Sequence, residues 1–412
     1  MSYTLRPYQL GAVNTAVSRL RGRVDKPFII QAATGAGKSL IIADICRQMD
    51  EPTLILQPSK ELVEQNYAKL KSYGSDLDIG IYSASLNSRE IRKYTYATIN
   101  SIYRKPELFQ QFKNVIIDEC HQVNPKNLGG MYTKFLKDIG TLNVCGLTAT
   151  PYRMQEKFFE ENGERFYTSH LKMINRIHPF FFKEVAYKIE TQELIDQGYL
   201  APVRYYRKHV DWSQLEVNKT GSNFTEESVE RFWNDQRMKD LYYAMQLIDK
   251  HCKRNLIFAS SMKQADNILD MLKGMNMSAG IVTAKTPVKD RELIVDAYRR
   301  GDFKHMVNVG VFTTGFDVPE LDSVCLARPT MSLALYYQMV GRGVRIDPNN
   351  PGKKLHVFDF AGNVDKLGRV ETIRIEKEDD GFRDKVMSEI GRMDETPLFK
   401  FVVKNGKYGG KK

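Results

Sequence analysis

The 412 residues contain no uninterrupted apolar run long enough to cross a bilayer, which argues against an integral membrane protein. The opening MSYTLRPYQ has an arginine but no apolar stretch behind it, so no secretory signal is visible. Cysteine is scarce. Cys46, Cys120, Cys145, Cys252 and Cys325 are odd in number, scattered and never spaced as CxxC, which indicates neither a disulfide framework nor a zinc ribbon. Cys145 and Cys325 lie in apolar runs as small core residues, and the usage fits a reducing, cytosolic setting. Low-complexity tracts and solenoid-length repeats are missing too. What remains is globular in composition, 42% hydrophobic and 27% charged, with length for two or three domains. Lysine and arginine outnumber aspartate and glutamate by 61 to 50, a net charge of +11. That excess favours a polyanionic partner, nucleic acid before membrane surface, through counterion release, with a solvated basic surface about level with it on charge alone.

Short apolar runs alternate with amphipathic stretches. PFIIQA, PTLILQ, NVIIDE and NVCGLTA predict buried strands, each bounded by turn or polar residues. SKELVEQNYAKLKSYG predicts a helix: Leu62, Val63, Tyr67 and Leu70 share a face, Ser59 caps the start and Gly74 suits the end. From Asn255 the pattern repeats in NLIFAS, AGIVTA, HMVNVGV, DSVCLA and KLHVFDF, with helical KQADNILDMLKG between. Strands alternating with helices imply parallel sheets. The expected fold is therefore α/β, with two tandem lobes, each a mainly parallel sheet flanked by helices. The boundaries read as lobe 1 at 1–204, an irregular and then helical connection at 205–240, lobe 2 at 241–375 and a charged tail at 376–412, with EKEDDGFRDKVMSEIGRMDE expected to be helical.

QAATGAGKSL follows a strand and opens a helix, the context that a phosphate loop requires. The loop residues are Thr34, Gly35, Ala36, Gly37, Lys38 and Ser39. Backbone N–H groups from Gly35 to Ser39 can converge on phosphate oxygens at the positive end of the helix. Lys38 would reach the β- and γ-phosphates of ATP, and the Ser39 hydroxyl would hold Mg²⁺. The general motif begins with Gly, whereas this chain has Ala32 there.

NVIIDECHQ supplies the strand ending in acid. Asp118 would hold Mg²⁺ and Glu119 would orient the attacking water. Cys120 and His121 as joint metal ligands fare badly, because neighbours leaving a strand point apart and no second Cys/His pair completes a tetrahedral site. A thiol nucleophile at Cys120 would need a base and an orienting group, and the sequence nominates neither.

Asp118-Glu-Cys-His121 resembles the DExH box of superfamily 2 helicases, whose other motifs follow in order. That resemblance implies two RecA-like lobes with ATP in the cleft between them. LRPYQ resembles the Q motif, implying adenine recognition by Gln9 with Arg6 beside it. LQPSKELVEQ and ATINSIYR resemble strand-contacting motifs Ia and Ib, with Pro58, Lys60 and Thr98 toward nucleic acid. LTATPYR resembles motif III, which couples the lobes through Thr148 and Thr150. LIFASSMKQAD resembles motif IV and VFTTGFDVPELD motif V, placing Ser260, Thr313 and Thr314 toward nucleic acid and Gly315 and Asp317 toward nucleotide; Thr283, at the end of AGIVTA between them, is a further candidate for nucleic-acid contact. YYQMVGRGVR resembles motif VI: Arg342 and Arg345 would be arginine fingers, and Gln338 would meet His121. Over roughly residues 3–365 the chain is similar to the RadD group of bacterial DNA-repair helicase-like ATPases, without that group's cysteine-rich C-terminal region.

The resemblance implies a nucleic-acid-stimulated ATPase that unwinds or remodels DNA, single-stranded or branched, acting as a monomer without structural zinc. An RNA helicase of the same superfamily is the alternative, since such motifs mostly touch phosphates and sugars. An ATP-gated clamp without translocation is a second, which intact Glu119 and the arginines disfavour. Only VPELDSVCLARPTMSLAL separates motifs V and VI, leaving no room for a long strand-separating hairpin there. His170 and His178 read as surface or packing residues, and HPFFFKEVAYKI as core or sheet cover. Trp212 and Trp233 suit base stacking or interlobe packing equally.

Overall fold

Phe28-Ile-Ile-Gln-Ala32 has no alternating period and is buried along its whole length, as a central strand of a parallel sheet must be. The computed structural model describes residues 3–402 apart from 24, 75, 125–129, 219–222, 312–317, 380, 382 and 396. Its chain divides into two compact units, Met1–Arg153 with Lys172–Glu190, and Met154–Leu171 with Thr191–Lys412.

Unit 1 is built on an eight-stranded sheet. Its strands are β1 (Phe28–Ala32), β2 (Thr53–Gln57), β3 (Ile79–Ser83), β4 (Ser88–Arg89), β5 (Tyr94–Thr98), β6 (Asn114–Asp118) and β7 (Val144–Thr148), with β10 (Glu184–Ile189) added after a hairpin, β8 (Tyr152–Glu161) and β9 (Glu164–Met173). The order is β10-β1-β7-β6-β2-β5-β3-β4, parallel throughout except for β4. Helices α1 (Pro7–Arg21), α2 (Lys38–Met49) and α3 (Lys60–Lys71) pack in succession, and α4 (Ile99–Ile102) and α5 (Met131–Asp138) contact each other. The predicted face of α3 holds, with Val63 and Leu70 buried, and Ser59 Oγ accepts the Leu62 N–H at 3.4 Å. Phe109, Phe112, Phe135 and Phe182 close one face of the sheet over Val115 and Ile117. Each such ring contributes on the order of 1.5–3 kcal/mol by leaving water.

Unit 2 carries α6 (Thr191–Asp196), β11 (Val203–Arg207), α7 (Glu226–Phe232), α8 (Asp235–His251), β12 (Asn255–Ala259), α9 (Met262–Gly274), β13 (Ala279–Thr283), α10 (Val288–Arg300), β14 (His305–Val309), β15 (Ser323–Ala327), α11 (Leu333–Gly341), β16 (Leu355–Asp359), α12 (Asn363–Leu367) and β17 (Arg374–Lys377) to β20 (Phe399–Val402), by way of β18 (Asp384–Ser388) and β19 (Gly391–Arg392). Its main sheet is wholly parallel in the order β11-β16-β15-β12-β14-β13. All five strands expected from Asn255 onward are present.

Three segments differ from expectation. Residues 203–207, split between lobe 1 and the connection, form edge strand β11 of the second sheet, because Tyr206 stacks on Phe358 at 4.7 Å and Tyr205 Oη donates to Glu371 at 2.8 Å. The stretch expected as a C-terminal helix is a small antiparallel sheet, β17-β18-β19. There Asp-Lys-Val-Met-Ser buries every second residue, and Gly381 and Gly391 take the left-handed backbone that its turns need. The third is the β8–β9 hairpin, reversed at Asn162 and Gly163, both at positive φ, with β20 as its third strand.

Trp212 is a core residue of unit 2. Its Nε1 donates to the Ala361 carbonyl at 2.6 Å and its ring stacks on Phe399, so it is not available to stack on bases. Trp233 is half-buried against the cluster of Leu241, Met245 and Ile257. Phe182 is core as expected, whereas Phe180 is exposed. His178 is exposed and His170 half-buried.

Candidate active site

The chemistry-bearing residues of unit 1 lie where its parallel strands end. β1 runs into the glycine-rich turn, β2 into Pro58, β5 ends at Thr98, β6 at Asp118 and β7 at Thr148. Carboxyl ends of parallel strands are where open α/β sheets bind ligands, because loops and helix N-termini gather there.

In the turn after β1, Gly35 and Gly37 have φ of +88° and +84°, which only glycine adopts without strain. Gly37 is restricted twice, since a Cβ there would stand 2.5 Å from Gln9 Nε2. Ala32 is explained by its place: it is the last residue of β1, paired with Ile189, and needs no glycine conformation. Thr34 and Ser39 are half-buried in the same turn and its helix, and Ala36 is buried. Gln9 is 5% exposed and engaged at both ends. Its Oε1 accepts the Arg6 backbone N–H at 3.0 Å, and its Nε2 donates to the Ala36 carbonyl at 2.9 Å. Each end keeps one further hydrogen-bonding position, and its present link to the nucleotide loop is structural. Arg6 turns its Nη1 toward Tyr8 Oη, 3.2 Å away.

At the end of β6 the chain makes a strained turn. Glu119 sits at φ +49°, ψ +47°, the left-handed region that a non-glycine residue enters at some cost, and residues Cys120–Gln122 follow in a single 3-10 turn. The result is a compact ionic network. Lys38 Nζ lies 3.0 Å from Glu119 Oε1. His121 Nδ1 lies 3.3 Å from Glu119 Oε2 and 2.8 Å from Thr148 Oγ1. Thr148 Oγ1 donates to Glu119 Oε2 at 3.4 Å and accepts the Thr150 N–H at 3.1 Å. Thus Lys38, Glu119, His121, Thr148 and Thr150 are brought together.

Asp118 and Glu119 are driven apart electrostatically. Burial raises the Asp118 carboxyl, and the neighbouring Glu119 charge raises it further. Burial also acts upward on Glu119, but the Lys38 ammonium and then His121 outweigh it and hold that carboxyl well below the usual range. Cys120 is fully buried and its thiol is pushed up by that burial and by Glu119, the opposite of an activated nucleophile.

The donor set fits Mg²⁺. Ser39 and Asp118 offer hard oxygens, and each Asp118 oxygen accepts one hydrogen bond, Oδ1 from the Glu119 N–H at 2.9 Å and Oδ2 from Asn66 Nδ2 at 3.2 Å. Lone pairs remain, and the charge conflict with Glu119 is one that a divalent cation relieves. Among the described residues no group of three or more His, Cys, Asp or Glu is arranged to hold a metal, so phosphate and water would complete the shell.

The strand-contacting candidates also occupy strand ends. Thr98 is buried and its hydroxyl meets Ser101 Oγ at 2.8 Å. Pro58 and Lys60 are half-buried at the start of α3. In unit 2, Ser260 follows β12 and Thr283 ends β13, where it receives the Lys285 N–H at 3.2 Å. Thr313, Thr314, Gly315 and Asp317 lie outside the described residues. Gln338 and Arg342 are four apart at the end of α11, half-buried like Arg345.

Two residues of unit 1 were missed. Asn66, fully buried on α3, orients Asp118, and Arg153 donates to the His121 and Gln122 carbonyls at 2.9 and 3.1 Å. The signal for Asn66 was a polar residue on the apolar face of a helix between Val63 and Leu70.

Parallel sheets with a glycine-rich nucleotide turn and an acidic strand end define a phosphate-loop protein of the RecA-like class. Residues 2–153 match the model of the type III restriction enzyme res subunit, and residues 236–347 match the helicase conserved C-terminal domain. With both domains, the chain belongs to superfamily 2 of the helicases. It is 23% identical to IRC3 of Saccharomyces cerevisiae, which bears the name of an ATP-dependent helicase, over 94% of this chain and 56% of that protein. The DNA 3'-5' translocase XPB2 of Sulfurisphaera tokodaii is 24% identical over 83% of this chain and 78% of its own. Among solved structures, the ATP-dependent type ISP restriction-modification enzyme LlaBIII bound to DNA shares the fold at a TM-score of 0.64, with 17% identity, over 86% of this chain and 27% of that one. The chain thus spans little more than half the length of IRC3.

No helix among the described residues is long and apolar enough to cross a membrane.

Proposed function

We propose that the protein is an ATP-driven nucleic-acid motor of the RadD-like group, acting on single-stranded or branched DNA during repair or recombination. The observation that carries this reading is the network at the carboxyl edge of the first sheet, where Lys38, Glu119, His121 and Thr148 meet beside the loop of Gly35 and Gly37.

ATP would sit with its phosphates on the N–H groups from Gly35 to Ser39. Lys38 must then leave Glu119 to meet the β- and γ-oxygens, which removes the main charge holding that carboxyl below the usual range and leaves a more basic carboxylate to accept a water proton. Mg²⁺, held by Ser39 and Asp118, would neutralise charge on those oxygens. His121 and Thr148 keep Glu119 in one orientation. Thr150 joins this to the chain that leads out of unit 1 at Arg153. Arg342 and Arg345 would supply the positive charge that stabilises the transferred phosphoryl group.

DNA is favoured over RNA because the relative XPB2 is named as a DNA translocase. The net charge of +11 suits either polyanion. The test is steady-state ATP hydrolysis with no nucleic acid, single-stranded, duplex and forked DNA, and RNA of matched length, at fixed salt. Stimulation by forked or single-stranded DNA above the rest is expected. Stimulation by RNA alone would move the substrate to RNA, and negligible turnover with every nucleic acid would leave the clamp.

A further inference from the structure

Arg345 is held through its backbone. α11 ends at Gly341, and beyond it the chain runs against the segment at Leu200 and Ala201. The Ala201 N–H donates to the Val344 carbonyl at 2.7 Å, and Leu200 forms an antiparallel bridge with Arg345. The run Asp347-Pro-Asn-Asn-Pro-Gly352 then reverses the chain. Asp347 Oδ1 accepts the Asn349 N–H at 2.9 Å, the Asp347 carbonyl accepts Asn350 N–H at 2.9 Å, and the Asn350 carbonyl accepts Lys353 N–H at 3.0 Å.

That turn delivers Lys353 to a buried position, 5% exposed. Its Nζ donates to the Arg345 carbonyl at 2.7 Å and to the Pro319 carbonyl, also at 2.7 Å. Pro319 is two residues beyond Asp317. Removing an ammonium from water is unfavourable, and a methionine would fill the same space without that cost. Burial lowers the Lys353 pKa to about 8, while Asp322, Asp347 and Glu320 act in the opposite sense. In either protonation state the amine keeps two N–H donors, enough for both carbonyls.

We propose that Lys353 is a positioning residue for ATP hydrolysis, tying the Arg345 backbone to the Pro319 turn so that the Arg345 guanidinium is presented in one orientation. This rests on the motor reading above, with Arg345 meeting the transferred phosphate. Small displacements suffice for a large effect, since misplacing a reacting or stabilising group by about 1 Å can cost about 100-fold in rate.

The test is a double-mutant cycle on kcat and KM for ATP at saturating single-stranded DNA, using wild type, Lys353→Met, Arg345→Ala and the double variant. Lys353→Met is expected to lower kcat about 10- to 100-fold with KM changed less than about 3-fold, and the double variant to be no slower than Arg345→Ala alone. Multiplying rate losses, a loss confined to KM, or unchanged kcat would each overturn the proposal. Wild-type protein without turnover on any nucleic acid would sink the motor reading itself, a result distinguishable from an active wild type with an unaffected Lys353→Met. Should Lys353→Met fail to fold, judged by its thermal melt, Lys353→Leu, which likewise has no donor, is read against the same outcomes.

Discussion

Lys38 Nζ lies 3.0 Å from Glu119 Oε1, so the cation of the phosphate loop is paired with the carboxylate proposed to activate water. Both proposed roles require that pair to open. Glu119→Gln removes Lys38's competitor for phosphate while abolishing the base. ATP affinity is expected to hold or tighten while kcat falls by about 10²–10⁴-fold, the usual worth of a general base. Fluorescent-nucleotide titration beside a turnover assay checks both halves. Lys38→Ala is expected to lose hydrolysis altogether, and normal turnover in either variant would refute the site.

Asp118 and Glu119 predict a stability effect of defined sign. A carboxyl raised by folding stabilises the protein below its ordinary pKa, and that contribution is lost as the pH rises through the raised value; Asp118 is of this kind. Glu119, held low, contributes above its ordinary pKa and loses that contribution as the pH falls through its folded value. At neutral pH Asp118 is therefore a buried charge that folding disfavours. Asp118→Asn should raise the melting temperature of the nucleotide-free protein near pH 7.5, with the gain shrinking toward pH 4, and should abolish hydrolysis. Thermal melts across that range decide it, and a lower melting temperature at pH 7.5 would contradict the assignment.

Gly37 and Gln9 can be separated. Gly37→Ala meets both the +84° backbone and the Gln9 amide, whereas Gln9→Ala relieves only the second. Gly37→Ala is expected to weaken nucleotide binding at least about 10-fold, and Gln9→Ala added to it should not rescue binding, because the backbone strain remains. Full rescue in the double variant would show that crowding alone was at fault.

How much of this was legible beforehand follows the range of the interactions. The central strands and phosphate loop were readable, because continuous apolar runs and a strand–glycine–helix context are local patterns. Asn162-Gly163 is an equally local hairpin signal that the sequence reading did not use; the third strand of that hairpin, β20, lies more than two hundred residues away. The C-terminal sheet misled for the opposite reason, since its charged residues suit a helix until Gly381 and Gly391 are counted as turns. The link from Lys353 to Pro319 was beyond reach, as no pattern within a run of sequence reveals which carbonyls a buried lysine meets.

Asn66 and Asp118 carry the last prediction. Asn66 Nδ2 holds Asp118 Oδ2 at 3.2 Å from a fully buried place on α3. Asn66→Leu keeps the apolar packing but removes the donor, leaving one carboxylate oxygen free to swing. Removing the hydrogen-bond partner of a metal-binding group typically costs about 10- to 100-fold in metal affinity, so the magnesium concentration for half-maximal hydrolysis should rise roughly 10-fold or more. At saturating magnesium kcat should recover to near wild type, because Glu119 and Lys38 are untouched. A magnesium titration at fixed ATP, paired with Mn²⁺ binding followed by electron paramagnetic resonance, separates weaker metal binding from lost catalysis. Unchanged metal dependence with a lowered kcat would show that Asn66 acts on folding around the site and not on the metal-binding carboxylate.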